Sequence, residues 1–261
     1  MKSIIKTGAV LLIISVVLIA MSALFMRAHA GNVVVASESR DIDPQVVNLV
    51  ISGSTDLILK QSSTAALTIK GDATMLPRVT TRTEGNTLYV GTRGLIITAR
   101  QPLIVELQLP NLEKLQMHGS GDGNVHGFRG ASLVLQSRGS GDLHFEGEYQ
   151  HLKVSSEGTG DMKLVMLNND KLDMTLQGSG DVLLKGQTKA LNVRLIGSGD
   201  IDASNLKAVQ VSLESTGSAD ARVFSSDDIK LKLRGSGDVS VYGNPAKRQV
   251  ERSGSGEVLW K

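Results

Sequence analysis

The chain has 261 residues, 28 Lys and Arg against 26 Asp and Glu, no cysteine, and an aromatic content of only 3%. Without cysteine there is neither a disulfide framework nor a thiolate metal site. So few aromatic rings leave a thin core to be filled by Leu, Val, Ile and Met.

The N-terminus places Lys2 and Lys6 before an uncharged apolar run, residues 8–26, and closes with Ala28-His29-Ala30 ahead of Gly31. This is a basic n-region, an apolar h-region and an Ala-x-Ala cleavage signal. The h-region is long for a signal peptide and Arg27 is unusual so close to the cleavage site. Residues 1–30 therefore read either as a cleaved signal peptide or as a retained anchor crossing the membrane through residues 8–26. Both readings predict export, to the periplasm or the cell surface. Residues 1–30 carry three basic residues and no acid, which leaves 25 Lys and Arg against 26 Asp and Glu in the rest. That balance argues against a nucleic-acid partner, which selects a basic stripe.

Residues 31–45 are polar, include Asp41, Asp43 and Pro44, and read as a linker. From Val46 the pattern becomes β-rich without a strict period. Residues 46–52, 57–60, 66–70, 87–90 and 103–109 are candidate strands, and Gly53-Ser54-Thr55-Asp56 looks like a decayed copy of a motif that follows. Residues 46–110 are expected to form irregular first coils and an N-terminal cap, because an open solenoid end exposes strand edges.

Residues 111–261 carry the dominant signal. Gly-Ser-Gly-Asp or a near copy starts at Gly119, Gly139, Gly158, Gly178, Gly197, Gly217, Gly235 and Gly254, at intervals of 20, 19, 20, 19, 20, 18 and 19 residues. A fixed period near 20 marks a repeat in which each unit buries its apolar face against the next. One and three residues beyond each acid the side chains are mostly apolar (Leu143 and Phe145, Met162 and Leu164, Val182 and Leu184), with mostly polar residues between them. Four residues before each motif stand Leu115, Leu135, Val154, Met174, Val193, Leu213, Leu231 and Val250. Period-two alternation on both sides predicts strand, Gly-rich turn, strand and a second turn, which often carries glycine too (Gly127, Gly147, Gly186, Gly243). The expected fold is all-β, a single-stranded β-solenoid of 19–20-residue coils with parallel stacked strands, right-handed by the usual crossover rule. An antiparallel meander explains the alternation but not the constant interval.

Glycine in the turn is expected where φ is positive or backbones approach closely, so Gly180→Val is predicted to destabilise the coil on the first ground. The acid that follows suits hydrogen bonding to turn amides. No cap follows the last motif, and Trp260 is expected to plug that end.

An export signal, the segment Val46-Val47-Asn48-Leu49-Val50-Ile51-Ser52-Gly53, the pair Gly71-Asp72, Leu88-Tyr89-Val90 and the Gly-Ser-Gly-Asp ladder together resemble the bacterial family called putative auto-transporter adhesin, head GIN domain, over residues 46–250. The resemblance implies an exported β-helix-like envelope domain and brings no catalytic residues with it. A true autotransporter needs a C-terminal membrane barrel, and none follows Lys261 in this sequence, so self-export is not expected.

The stacked acids Asp122, Asp142, Asp161, Asp181, Asp200, Asp220, Asp238 and Glu257 are expected along one edge, as turn caps or as a ligand face. Calcium is the secondary reading for them, because the cation takes six to eight oxygens and each turn offers one carboxylate; no cofactor is expected otherwise. Arg138, Arg194, Arg222 and Arg234 occupy different registers and read as exterior positions rather than lyase residues. His118, His126, His144 and His151 fall at different offsets, so a shared metal is not expected. Every turn supplies Ser and Asp, so a Ser-His-Asp triad carries no signal. Trp260, Tyr89, Tyr149 and Tyr242 form no aromatic stripe. The leading reading is a non-enzymatic envelope adhesin or interaction module that binds a surface ligand, protein or glycan, through a stacked face. The alternatives are a periplasmic or membrane-anchored scaffold and, on architecture alone, a polysaccharide-active enzyme.

Overall fold

The computed structural model describes residues 34–94 and 102–261. The signal or anchor expected over residues 1–30 lies outside the described residues. The N-terminal part contains β1 (Val35–Arg40), β2 (Asn48–Gly53), β3 (Thr55–Gln61), β4 (Ala66–Asp72), β5 (Val79–Glu84), β6 (Thr87–Thr92), β7 (Leu103–Leu109) and β8 (Lys114–Gly119). The regular part contains β9 (Gly123–Gly139), β10 (Leu143–Gly158), β11 (Met162–Gly178), β12 (Val182–Gly197), β13 (Ile201–Gly217), β14 (Ala221–Gly235), β15 (Val239–Tyr242), β16 (Lys247–Gly254) and β17 (Val258–Trp260). No α-helix occurs among the described residues.

From β8 onward each strand pairs in parallel with the one a coil ahead, which makes the all-β solenoid of about seven turns. The first glycines of successive motifs stand opposite one another without a slip, from Gly53 and Gly119 through Gly178 to Gly254. Alternation does what period two requires. Leu143, Phe145, Leu152 and Val154 are buried, and the same registers in the next coil hold Met162, Leu164, Leu172 and Met174. The core is thus a column of aliphatic side chains with two buried phenylalanines, Phe128 and Phe145.

The N-terminal cap is threaded out of sequence order. β2 and β3 form the first coil and carry the turn Gly53-Ser54-Thr55-Asp56. This coil is flanked by β8 and β9 on one side and by β6 and β7 on the other. The chain therefore lays its first coil, builds outward beyond it, and then returns to start the regular ladder. On the outer side the strand direction reverses: β4 runs antiparallel to β7, β5 to β6, and β1 to β4. Reversal ends the parallel stack, which otherwise offers a template for further strands. Residues 35–40, read from the sequence as linker, are β1. The strand is polar and almost fully exposed, so it has no apolar alternation to betray it; backbone pairing and the Arg40 guanidinium, which donates to the Val79 and Leu76 carbonyls, hold it. β5, with the sequence Val-Thr-Thr-Arg-Thr-Glu, escaped detection for the same reason.

The other end, where Trp260 is expected as a plug, is closed by side chains, and Trp260 takes part. Where the coil beneath places Ile229, Leu231 and Leu233 inward, the last coil places Arg248, Val250 and Arg252. Arg248 lies over the Trp260 ring at 4.3 Å and donates to the Pro245 carbonyl and Asn244 Oδ1, while Arg252 donates to the Gly256 carbonyl. A guanidinium stacked on an indole covers apolar surface while its charge stays hydrated. The basic pair Lys247-Arg248 on the exposed strand β16 also discourages strand addition.

Candidate functional site

The turn of each coil is built from backbone contacts. The glycines at the first and third positions of a motif are needed for different reasons. Gly178 has φ of +135°, and a Cβ there would stand 2.0 Å from the Gly158 carbonyl oxygen. Gly180 is not in the left-handed region; a Cβ on it would meet the Gly160 carbonyl oxygen at 2.2 Å. The requirement at Gly180 is therefore close approach, and the positive φ expected there belongs to Gly178. The third position does take a methyl in one coil, where Ala219 is buried, and a threonine in the first, where Thr55 Oγ1 is buried without a partner.

The aspartates form a single chain of hydrogen bonds along this edge. Asp122 N–H donates to Asp56 Oδ1 at 3.0 Å, Asp142 to Asp122 at 2.9 Å, Asp161 to Asp142 at 2.8 Å and Asp181 to Asp161 at 2.8 Å. The chain continues from Asp200 to Asp181 at 2.9 Å, Asp220 to Asp200 at 2.8 Å, Asp238 to Asp220 at 2.7 Å and Glu257 to Asp238 at 2.8 Å. One carboxylate oxygen per coil thus holds the amide of the next acid. Asp56 makes the first rung, so the turn at 53–56 is a working copy, separated from the next rung by the inserted cap. Stacked carboxylates at a ~4.8 Å spacing repel by about 1 kcal/mol per neighbour in bulk water, and the amide donors offset this.

The acids also wall a shallow groove. Asp142, Asp161, Asp181, Asp200 and Asp220 face His144, Lys163, Leu183, Asp202 and Arg222 across about 370 Å³. A second stretch of about 320 Å³, sharing Asp142 and His144, extends it to Asp122 and Asp56. Of the four arginines singled out from the sequence, Arg222 lines this groove, 3.9 Å from Asp202, while Arg138 and Arg234 pair with Glu157 and Glu214 elsewhere. The structure brings two of the histidines together: the rings of His126 and His144 meet edge to face at 5.7 Å. The His144 pKa is lowered, first by burial and then by Lys163 and His126, against the opposing effect of Glu146. No group of three or more His, Asp or Glu suited to a metal occurs among the described residues. The tyrosines are dispersed: Tyr149 is buried with its hydroxyl donating to the Leu112 carbonyl, and Tyr89 lies under Arg82.

Sequence reasoning placed a second turn in each coil but missed the stack of residues and the groove that form at this second corner, at the far end of both strands. There the inward positions are Gly130, Tyr149, Asn169, Thr188, Ala208 and Ser225, in stacked register. Asn169 Nδ2 donates to the Tyr149 carbonyl at 2.9 Å and Thr188 Oγ1 to Asn169 Oδ1 at 2.7 Å, both buried. Outside this stack runs a groove of about 920 Å³ whose walls include Glu148, Asn168, Asp170, Gln187, Lys189 and Lys207. A signal for it exists in the sequence when the count is taken backward. The first five of these inward residues lie nine positions before the following motif. Counted forward from the preceding acid, the offset alternates between eight and seven and ends at five for Ser225. The variation in coil length therefore falls on the strand after each aspartate, and register shifts occur there.

Four-fifths or more of the chain superposes on crystal structures of a putative adhesin from Parabacteroides distasonis ATCC 8503 (TM-score 0.81, 22% identity, 88% of this chain and 98% of that one) and of a putative adhesin from Parabacteroides merdae ATCC 43184 (0.78, 23%, 88% and 98%). A structure called a putative lipid binding protein from Parabacteroides distasonis ATCC 8503 is similar as well (0.76, 20%, 88% and 98%). At these identities the likeness is one of fold. No curated protein matches. The family model described as putative auto-transporter adhesin, head GIN domain, matches residues 47–245, and the chain belongs to that family.

Proposed function

We propose that this chain is an exported, non-enzymatic interaction module of the cell envelope, adhesin-like in its action, binding a surface ligand through a stacked face of the solenoid. The observation that carries the reading is the pair of axial grooves. Stacking repeats each wall position once per coil, so a ligand lying along the axis meets the same kind of group many times on a scaffold already rigid. Such multivalency raises affinity without any single strong contact. The family and its structural relatives bear adhesin names, which supports the same reading. The test is adherence of cells with and without this protein to immobilised glycans and matrix proteins. Loss of adherence on deletion, restored by the wild-type chain, supports the reading; unchanged adherence on every surface refutes it.

The apolar run of residues 8–26 favours a second reading, a periplasmic scaffold tethered to the inner membrane. Among the described residues no helix is long and apolar enough to cross a membrane. Protease treatment of intact and permeabilised cells separates the two. Digestion on intact cells places the solenoid outside and sinks the scaffold reading; protection until permeabilisation places it inside and sinks the adhesin.

A further inference from the structure

We propose that the groove along the second corner is a binding site for a linear, uncharged glycan lying parallel to the solenoid axis. The inference rests on the adhesin-like reading and names its ligand class and its face.

Four of the five charged side chains lining the groove are spent on one another, Lys207 being the fifth. Arg129 faces Glu148 at 3.6 Å, and Lys189 holds Asp170 at 2.7 Å. That contact lowers the Asp170 pKa, the hydrogen bond from Lys189 being the largest cause. With both acids paired, the lining keeps one further cation, Lys207, as its net charge. What the walls offer is amide: Gln150, Asn168 and Gln187 line the groove, and Asn168, which spends one of its two donors on Glu148 Oε1 at 3.2 Å, keeps a second donor and its carbonyl. A sugar hydroxyl is likewise donor and acceptor at once, so an amide meets it in either sense. A phosphate or uronate polymer, charged at every residue, would meet a single further cation, Lys207, rather than a row of them.

Spacing points the same way. Wall groups recur at ~4.8 Å along the stack, close to the advance per residue of an extended linear pyranose chain, whereas an extended peptide advances by ~3.3 Å and loses step within two residues. The backbone beneath the groove is also already paired into the sheet, so strand addition has no edge to use there.

The remaining features suit a sugar. Phe224 and Val209 line one end of the groove, and Val209 is 42% exposed although it is apolar. An apolar platform beside amides serves the C–H face of a pyranose ring. The floor is fixed by the buried bonds from Asn169 to the Tyr149 carbonyl and from Thr188 to Asn169, so the walls are ordered before a ligand arrives. The aspartate groove is the weaker candidate: it is smaller, and one oxygen of each acid is committed to the neighbouring turn.

The test is calorimetric titration of the purified protein with cellohexaose, chitohexaose and β-1,4-mannohexaose, with each disaccharide and with polygalacturonate. At least one hexaose is expected to bind, and its disaccharide to bind at least about tenfold more weakly because it spans fewer coils. The exposed double variant Asn168→Ala/Gln187→Ala is expected to weaken the hexaose by at least about tenfold with Tm unchanged. The variant Lys230→Ala, exposed on β14 and outside both grooves, should bind as wild type. Absence of binding by all three hexaoses, a preference for polygalacturonate, or binding that survives the double variant overturns the inference. Cells carrying the double variant that still adhere would overturn this groove alone and leave the adhesin reading intact; non-adherent deletion cells are needed for either to stand.

Discussion

The two corners of each coil perform the same task, reversing the chain while keeping it stacked, by opposite means. At the glycine-aspartate turn the coils are in backbone contact, and one rule recurs: a left-handed glycine, a third position close to its neighbour that is glycine except at Thr55 and Ala219, and a carboxylate bonded to the next amide. At the second corner the coils keep register through side chains that differ each time, an amide on a carbonyl in one coil and a hydroxyl on an amide in the next. Uniform backbone contact forbids variation, and so repeats in the sequence. Heterogeneous side-chain contact permits it, and there the coils absorb changes of length and open the wider groove.

The sharpest way to break this contrast is to put a side chain where backbones touch. Gly178→Val combines a disfavoured φ with a Cβ 2.0 Å from the Gly158 carbonyl, and should cost about 3 kcal/mol or more, read as a large fall in Tm or failure to fold. Gly180→Ala is expected to cost less, since Ala219 shows that the third position accepts a methyl in one coil. If Gly178→Val melts with the wild type, the turn does not depend on close contact and the contrast fails.

This difference explains what was legible in the sequence. The glycines and acids at 119–122, 139–142 and onward repeat because each is constrained by an identical neighbour, and Leu and Val flank them because each strand has one inward face. That sufficed for the coil, its length and the stacking of its acids. The stack at the second corner was opaque because its residues, Tyr149, Asn169, Thr188 and Ser225, share a place but no chemistry, and because forward counting crosses the variable stretch. β1 and β5 were opaque because strands at an outer edge bury almost nothing. The threading of β6 and β7 outside the first coil depends on long-range pairing that no local pattern records.

A smaller effect is expected from the carboxylate chain. Asp161→Ala removes the acceptor for the Asp181 amide and should destabilise by about 1.5 kcal/mol in urea unfolding. Asp161→Asn keeps an oxygen at the same place, and the relief of like-charge repulsion with Asp142 and Asp181 opposes the weaker acceptor, so its stability should lie within about 0.5 kcal/mol of wild type. Equal losses in the two variants would mean that the negative charge matters, and not the acceptor, and would revive a cation at this edge.

The smallest effects compare one substitution at the two corners and differ in sign. Thr55 occupies the third position of the first turn, where neighbouring coils are in backbone contact; its hydroxyl is buried and unpartnered. Thr55→Val keeps the shape and removes a polar group that has lost water without gaining a bond, so it should stabilise by about 1 kcal/mol. Thr188 lies at the second corner, where its hydroxyl donates to Asn169 Oδ1 at 2.7 Å. Thr188→Val leaves that oxygen buried without this donor, and should destabilise by about 1 kcal/mol. Paired thermal melts of the two variants read the signs directly. A shared sign would show that threonine in this core answers to packing alone, and that side-chain hydrogen bonds do not hold the second corner in register.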